Sequence, residues 1–420
     1  MKKNAIYAQS GGVTSVINAS ASGVIRACRE YSDKIGTLYA AENGILGVLN
    51  EELFDTSNLT DAEIDGLRKT PGGAFGSCRY KLKSLVDNRK EYERLIEVFS
   101  AYDIGYFFYN GGNDSADTCL KVSQIAKELG YPLQAIHIPK TIDNDLTETD
   151  NCPGFGSVAK YVATSIREAG IDLASMYKTS TKVFILEVMG RHAGWIAASC
   201  GLASEKDGQP PHIILFPEIA FDEELFLAKV KYSVENYGYC VIAVSEGAKD
   251  KSGIELSASG ASIDDFGHRQ LGGVAPIVAQ IIKNKLGYKY HWAVADYLQR
   301  SARHLASKVD SEQAYAVGYE GVKLAATSGA NGVMPAIIRI SQNPYKWETR
   351  AVELELVANH EKFMPRDFIS EDGFHITQKC RDYLIPLITG EEYPDYENGL
   401  PKYVELNKKL MPKKLVEFIK

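Results

Sequence analysis

A lysine, a hydroxyl and two carboxylates fall within one short stretch, Pro139-Lys140-Thr141-Ile142-Asp143-Asn144-Asp145. It follows an apolar run, residues 133–138, that reads as a buried strand. In an extended segment residues two apart share a face, so Asp143 and Asp145 are expected to point the same way, with Thr141 beside them. Two carboxylates that close must be solvated, share a cation or hold a raised pKa. That is the equipment of a general base or a metal site.

Three glycine-rich loops add backbone donors. Ser10-Gly11-Gly12 stands between a strand (5–8) and a helix (16–30), where inward-turned N–H groups and a helix N-terminus attract phosphate, although paired glycines there also serve tight packing. Gly111-Gly112-Asn113-Asp114 repeats the arrangement after a strand at 104–109, and residues 71–79 end a third such loop in Arg79. Converging on one sheet edge, they point to a polyphosphate, with Arg79 favoured as a cation that neutralises its charge over a merely solvated surface charge. Met189-Gly190-Arg191 and Ser245-Glu246-Gly247 each end an apolar strand. Their guanidinium and carboxylate could hold a phosphate and sugar hydroxyls, or simply pair with each other. Gly154-Phe155-Gly156-Ser157-Val158-Ala159 matches the dinucleotide fingerprint but follows a polar stretch instead of a strand, so it reads as a loop opening a helix.

The elements that must position these residues alternate. Strands are expected at 34–40, 182–188, 212–216, 240–244 and 333–340, and helices at 117–129, 159–177, 195–200, 223–237, 274–285 and 314–326. Such alternation means mostly parallel sheets with helices on both faces and binding groups beyond the carboxyl ends of strands. Residues 249–267 form a Ser/Gly-rich break suited to a domain crossing. With 54 acidic and 47 basic residues the chain is net negative, which argues against a nucleic-acid footprint. The basic start, Met1-Lys2-Lys3, precedes too short an apolar run for a signal peptide, and no stretch approaches a membrane span. Seven scattered cysteines without a CxxC read as reduced thiols of a cytoplasmic protein.

In this order the motifs resemble the phosphofructokinase family to about residue 335. The resemblance rests on Gly11-Gly12, Gly76-Ser77-Cys78-Arg79, Gly111-Gly112-Asn113-Asp114-Ser115, the stretch from Pro139 to Asp145, Met189-Gly190-Arg191, Glu246, and a late G-H-x-Q-x-G-G at 267–273. It implies two doubly wound, Rossmann-like α/β domains with mostly parallel sheets and the site in the cleft between them: 1–145 with about 264–314 for the phosphoryl donor, 146–263 with about 315–420 for the sugar phosphate. It implies Mg²⁺-dependent phosphoryl transfer to the 1-hydroxyl of fructose 6-phosphate in glycolysis, no nucleic-acid or membrane partner, and a homo-oligomer, with a dimer favoured. Asp143 resembles the family's general base; Thr141 and Ile142 resemble residues at the sugar and transferring phosphate. Gly11, Gly12 and Gly112 resemble the donor loops, and Met189, Gly190, Arg191 and Glu246 the sugar-phosphate pocket. Tyr297-Leu298-Gln299-Arg300-Ser301 is similar to the substrate-holding Y-x-x-R-S of pyrophosphate-using members. Asp114 and Lys140 stand where ATP-using members have glycine. A carboxylate at 114 occupies the place of a nucleotide's α-phosphate, and Lys140 offers a counter-charge to a small donor, so pyrophosphate is implied over ATP. Asn113 replaces the usual metal-binding aspartate, leaving Asn113 and Asp145 as the expected metal ligands. Leu271 and Lys182 stand where ATP-using members have arginine, so the 6-phosphate falls to Arg191, Arg300, His268 or Arg269. Three alternatives remain open: an ATP-dependent member, a relative acting on sedoheptulose 7-phosphate, and a catalytically dead sugar-phosphate sensor.

Overall fold

A computed structural model describes residues 2–260, 262, 263, 269, 270 and 273–418; His268 and Leu271 lie outside the described residues, as does the side chain of Arg269. The chain forms two compact units: Met1–Ser157 with Ser301–Glu361 and Gly390–Lys420, and Val158–Arg300 with Lys362–Thr389.

The first unit is built on strands β1 (Lys3–Gln9), β2 (Ile35–Ala41), β3 (Leu53–Asp55), β4 (Ile104–Gly111) and β5 (Gln134–Pro139). The second contributes β6 (Val183–Val188), β7 (Ile213–Leu215), β8 (Cys240–Ser245) and β9 (Tyr290–Val294). The chain then returns to the first unit with β10 (Val333–Gln342) and β11 (Tyr345–Glu353). Helices used below are α1 (Ile17–Glu30), α2 (Arg89–Ala101), α3 (Asn113–Glu128), α4 (Phe155–Met176), α5 (Glu223–Tyr237), α6 (Val274–Leu286), α7 (Asp296–Ser301) and α8 (Lys308–Ser328).

The first unit's sheet runs β11-β10-β5-β4-β1-β2-β3, parallel except at the β2–β3 and β10–β11 pairs. Alternation along β1 sends Ile6 and Ala8 to one core and Ala5 and Tyr7 to the other. Leu95 and Val98 of α2 with Val122 and Ile125 of α3 close the first face, and Val24 of α1 with Val317 and Val322 of α8 close the second. Both faces being covered is what a parallel sheet requires. The second unit's sheet runs β9-β6-β8-β7, all parallel, with Phe226 and Val230 of α5 and Val278 and Ile282 of α6 on its core.

The unit bounds differ from the expected ones, for reasons of pairing. Residues 301–361 join the first unit because β10 pairs with β5 and α8 lies on α1. Residues 273–300 stay with the second because β9 pairs with β6. The break at 249–267 is no crossing; the chain changes units at 157/158, 300/301, 361/362 and 389/390. None of the seven cysteines is in a disulfide. Among the described residues no helix is long and apolar enough to cross a membrane.

Candidate active site

In the first unit β5, β4 and β1 are neighbours and parallel, so the loops after Pro139, Gly111 and Gln9 leave the sheet side by side. The order also reverses here, β1 leading to β2 on one side while β4 and β5 lie on the other, which is the topological switch where doubly wound sheets bind ligands. Lys140 ties the three loops together. Its N–H donates to the Gly111 carbonyl (2.9 Å), and its Nζ, on a buried side chain, reaches the Gly12 carbonyl (2.5 Å). Gly11 adopts φ +75°, a left-handed conformation that favours glycine and lets the loop turn beside that ammonium.

The loop at 71–79 is drawn onto the same edge. Gly11 N–H donates to the Cys78 carbonyl (3.0 Å) and Ser77 Oγ to the Gly11 carbonyl (2.7 Å). Beneath lies a buried set of amides that the sequence reading missed. Gln9 Nε2 donates to Asn18 Oδ1, while Gln9 Oε1 accepts from Phe75 N–H. Asn18 Oδ1 also accepts from Ala74 N–H, and Asn110 Nδ2 donates to the Ile138 carbonyl. These satisfied amides fix the loops by geometry, because a buried amide left unpaired is costly. Arg79 itself is exposed and makes no ion pair among the described residues.

The segment around Asp143 is not extended. Ile142 and Asp143 form a turn, Asn144 is left-handed (φ +56°), and Asp143 N–H donates to Thr141 Oγ1 (3.1 Å). The strand alternation expected to align Asp143 with Asp145 therefore does not apply; a turn, closed by Asn144 Oδ1 accepting from Cys152 N–H, presents them instead. Both aspartates are half-buried. Thr141 bridges to Gly154, where α4 begins, so the fingerprint-like stretch does open a helix.

The N-terminus of α4 is held by Asp310, a residue the sequence reading did not single out. Its carboxylate accepts from Gly154 N–H (2.8 Å), Ser157 N–H (2.9 Å) and Ser157 Oγ (2.5 Å). Burial pushes the Asp310 carboxyl up to about 6, against the pull of those donors. In the second unit Glu187 caps α6 in the same manner through Ala275 N–H (2.8 Å), and burial raises its pKa too.

At the start of α3, Asp114 forms an ion pair with Lys81 (2.6 Å), a partner not foreseen from sequence. Asn113 is engaged at both ends of its amide: Oδ1 accepts from Asn359 N–H (2.7 Å) and Nδ2 donates to the His360 carbonyl (2.5 Å). Gly112 caps the helix with its backbone.

In the second unit, the loops after β6 and β8 meet. Glu246 Oε1 accepts from Gly190 N–H (3.2 Å), and Ser245 Oγ donates to the Gly190 carbonyl (2.5 Å). Gly247 passes so close to the Arg191 carbonyl that a Cβ would sit 1.9 Å from it. The internal Arg191–Glu246 pair left open by the sequence does not form; Arg191 is exposed and Glu246 turns Oε1 to the Gly190 backbone. Gln299 is buried and bridges Met189 N–H to the Asp296 carbonyl, while Tyr297 and Leu298 are exposed and the Arg300 guanidinium lies over the Tyr297 ring (3.9 Å). Lys182 turns back to the Tyr177 carbonyl.

The phosphofructokinase family profile matches residues 4–325. The pyrophosphate–fructose 6-phosphate 1-phosphotransferase of Halomonas elongata is 65% identical over 415 residues, 99% of each chain. That of Methylococcus capsulatus is 63% identical over 413 residues, 98% of each. The crystal structure of pyrophosphate-dependent phosphofructokinase from Nitrosospira multiformis superposes with a TM-score of 0.92 at 61% identity, over 99% of this chain and 100% of that one.

Proposed function

This chain belongs to the phosphofructokinase family, and on that premise we propose that it transfers a phosphoryl group reversibly from pyrophosphate to the 1-hydroxyl of fructose 6-phosphate. The products are fructose 1,6-bisphosphate and orthophosphate. The observation that carries the choice of donor is Lys140: a buried ammonium fixed at the Gly11-Gly12 loop, beside an α3 that opens with the Asp114 carboxylate. A compact, highly charged donor gains from that ammonium, whereas a nucleotide meets the carboxylate.

In this reading Asp143 takes the proton of the 1-hydroxyl as its oxygen attacks the terminal phosphorus, and the departing phosphate leaves in line. Lys140, Arg79 and the N–H groups of Gly12 and Gly112 receive the donor, Gly11 shapes the loop that carries them through its bond to the Cys78 carbonyl, and Thr141 and Ile142 border the transferring group. Met189, Gly190, Arg191, Glu246 and the segment from Tyr297 to Arg300 receive the sugar phosphate. Magnesium supplies charge neutralisation on the phosphates when bound. Among the described residues no three His, Cys, Asp or Glu side chains are grouped to hold a metal, and the Asn113 amide is spent on residues 359 and 360. The ion would therefore take its oxygens from pyrophosphate, water and the half-buried Asp143 and Asp145 carboxylates. The enzyme acts in the cytoplasm as a homo-oligomer, a dimer by expectation.

A coupled assay with pyrophosphate and ATP in parallel tests the reading. Turnover is expected with pyrophosphate, and a comparable rate with ATP would overturn the roles of Asp114 and Lys140. Offering sedoheptulose 7-phosphate in the same assay reports on the acceptor.

A further inference from the structure

Lys81 lies two residues beyond Arg79, on the segment that leads from the third glycine-rich loop towards α2. Its Nζ is 2.6 Å from Asp114 Oδ1, with the two side chains 55% and 69% exposed. An ion pair this exposed adds little to folding, so stability does not explain it. The other charges facing it are accounted for: Asp117, one turn along α3, is held by Lys121 (2.6 Å) and by Asn359 Nδ2 (3.0 Å). Asp114 therefore has a dedicated cation. The carboxylate holds the Lys81 ammonium above its usual range, and Asp117 adds to that field.

A bare carboxylate at the edge of a phosphate site is a poor selector. It repels every phosphate, pyrophosphate included, because Coulomb repulsion does not distinguish one polyphosphate from another. Selection needs the charge cancelled towards the small donor while the bulk stays in place. We propose that Lys81 is the positioning residue that does this: it holds the Asp114 carboxylate at the start of α3, offsets its charge towards pyrophosphate, and leaves the salt-bridged pair filling the space a nucleotide would need. The inference rests on pyrophosphate being the donor.

The test compares wild type, K81Q, K81R, D114N and K81Q/D114N in full-length protein, with KM and kcat for pyrophosphate, KM for fructose 6-phosphate, and turnover with ATP. K81Q is expected to raise KM for pyrophosphate about 10-fold, the equivalent of roughly 1.4 kcal/mol, with kcat and the sugar-phosphate KM little changed. K81R restores the wild-type value. In the D114N background K81Q no longer raises KM, because there is no carboxylate left to neutralise. The urea midpoint of K81Q is expected to match wild type, which separates the effect from folding. A wild type that uses ATP as readily as pyrophosphate overturns the donor reading and the inference with it. A pyrophosphate-selective wild type whose K81Q variant keeps its KM overturns the inference alone. So does an equal loss in K81Q with and without Asp114, which would mean that Lys81 grips the donor directly.

Discussion

Asp143 sits in a turn because Asn144 adopts a left-handed conformation that asparagine tolerates better than most residues, and because Asn144 Oδ1 is committed to Cys152 N–H. The residue type and its place after a strand were legible; the turn was not, because alternation arguments presume extended backbone. Asp143→Ser is expected to lower kcat by about 10²–10⁴, the usual worth of a general base, while fructose 6-phosphate still binds with near wild-type affinity by calorimetry. Unchanged turnover would remove Asp143 as the base. Asp310 shows the other kind of illegibility. Ser307-Lys308-Val309-Asp310 carries the S-x-x-D signature of a helix start, and Ser307 Oγ does cap Asp310 N–H. That signal would have begun the helix at 308 instead of 314. Nothing local says that the same carboxylate also caps α4, some 150 residues earlier in the chain.

Elements were read well where burial makes them uniform. The α5 bounds match, and β1, β4, β5, β6 and β8 fall within two residues of expectation, since strands covered on both faces are unbroken apolar runs. Exposed edge strands escaped, whereas β7, an edge strand that is buried throughout, falls where the strand at 212–216 was expected. β9 and β11 leave most of their residues exposed or half-buried, and β11 alternates Lys346, Glu348 and Arg350, a charge pattern that protects an edge and erases the strand signal. What sequence cannot give is how closely helices approach. On α1 a Cβ at Gly23 would meet the Tyr315 carbonyl at 2.2 Å, and on α8 a Cβ at Gly318 would meet the Ser20 carbonyl at 2.2 Å. The two helices therefore touch backbone to backbone. Because α1 leaves the Gly11-Gly12 loop and α8 carries Asp310, this contact sets the relative position of two loops of the site. Gly318→Ala must push the helices apart, at a cost of about 1–3 kcal/mol. A lowered urea midpoint together with a raised KM for pyrophosphate is expected; an unchanged midpoint would mean that the helices part freely.

At the scale of the molecule, the chain crosses between its units four times and ends in the first one, so the C-terminal tail belongs to the unit that holds the N-terminal loops. The tail shows no apolar periodicity and is fastened by hydrogen bonds. Buried Glu51 accepts from the Lys414 (2.7 Å) and Leu415 (3.2 Å) N–H groups and from Tyr102 Oη, while pairing with Arg94 (2.9 Å). Glu51→Gln loses the charge and half the acceptors, and should speed proteolysis within residues 405–418 before the rest of the chain is cut. Whole-molecule stability also carries a record of the buried titratable groups. Burial depresses His137 to about 3 and His212 to about 4, so the unfolded chain takes protons that the fold refuses, and both terms remove stability as pH falls below about 6.5. Asp310 runs the other way. Its folded pKa of about 6 lies above its ordinary value, so its contribution is fully present below about pH 4 and is lost as pH rises through 6. Asp310→Asn removes that term and leaves the histidines unchanged, so the histidine contributions cancel when variant and wild type are compared at each pH. The wild-type advantage over Asp310→Asn should therefore be larger at pH 4.5 than at pH 7, by roughly 2 kcal/mol. Urea unfolding of the full chain at the two pH values reads the difference directly. Parallel pH dependence in the two proteins would mean that the donors from Gly154 and Ser157 keep Asp310 ionised, and that burial does not govern its titration.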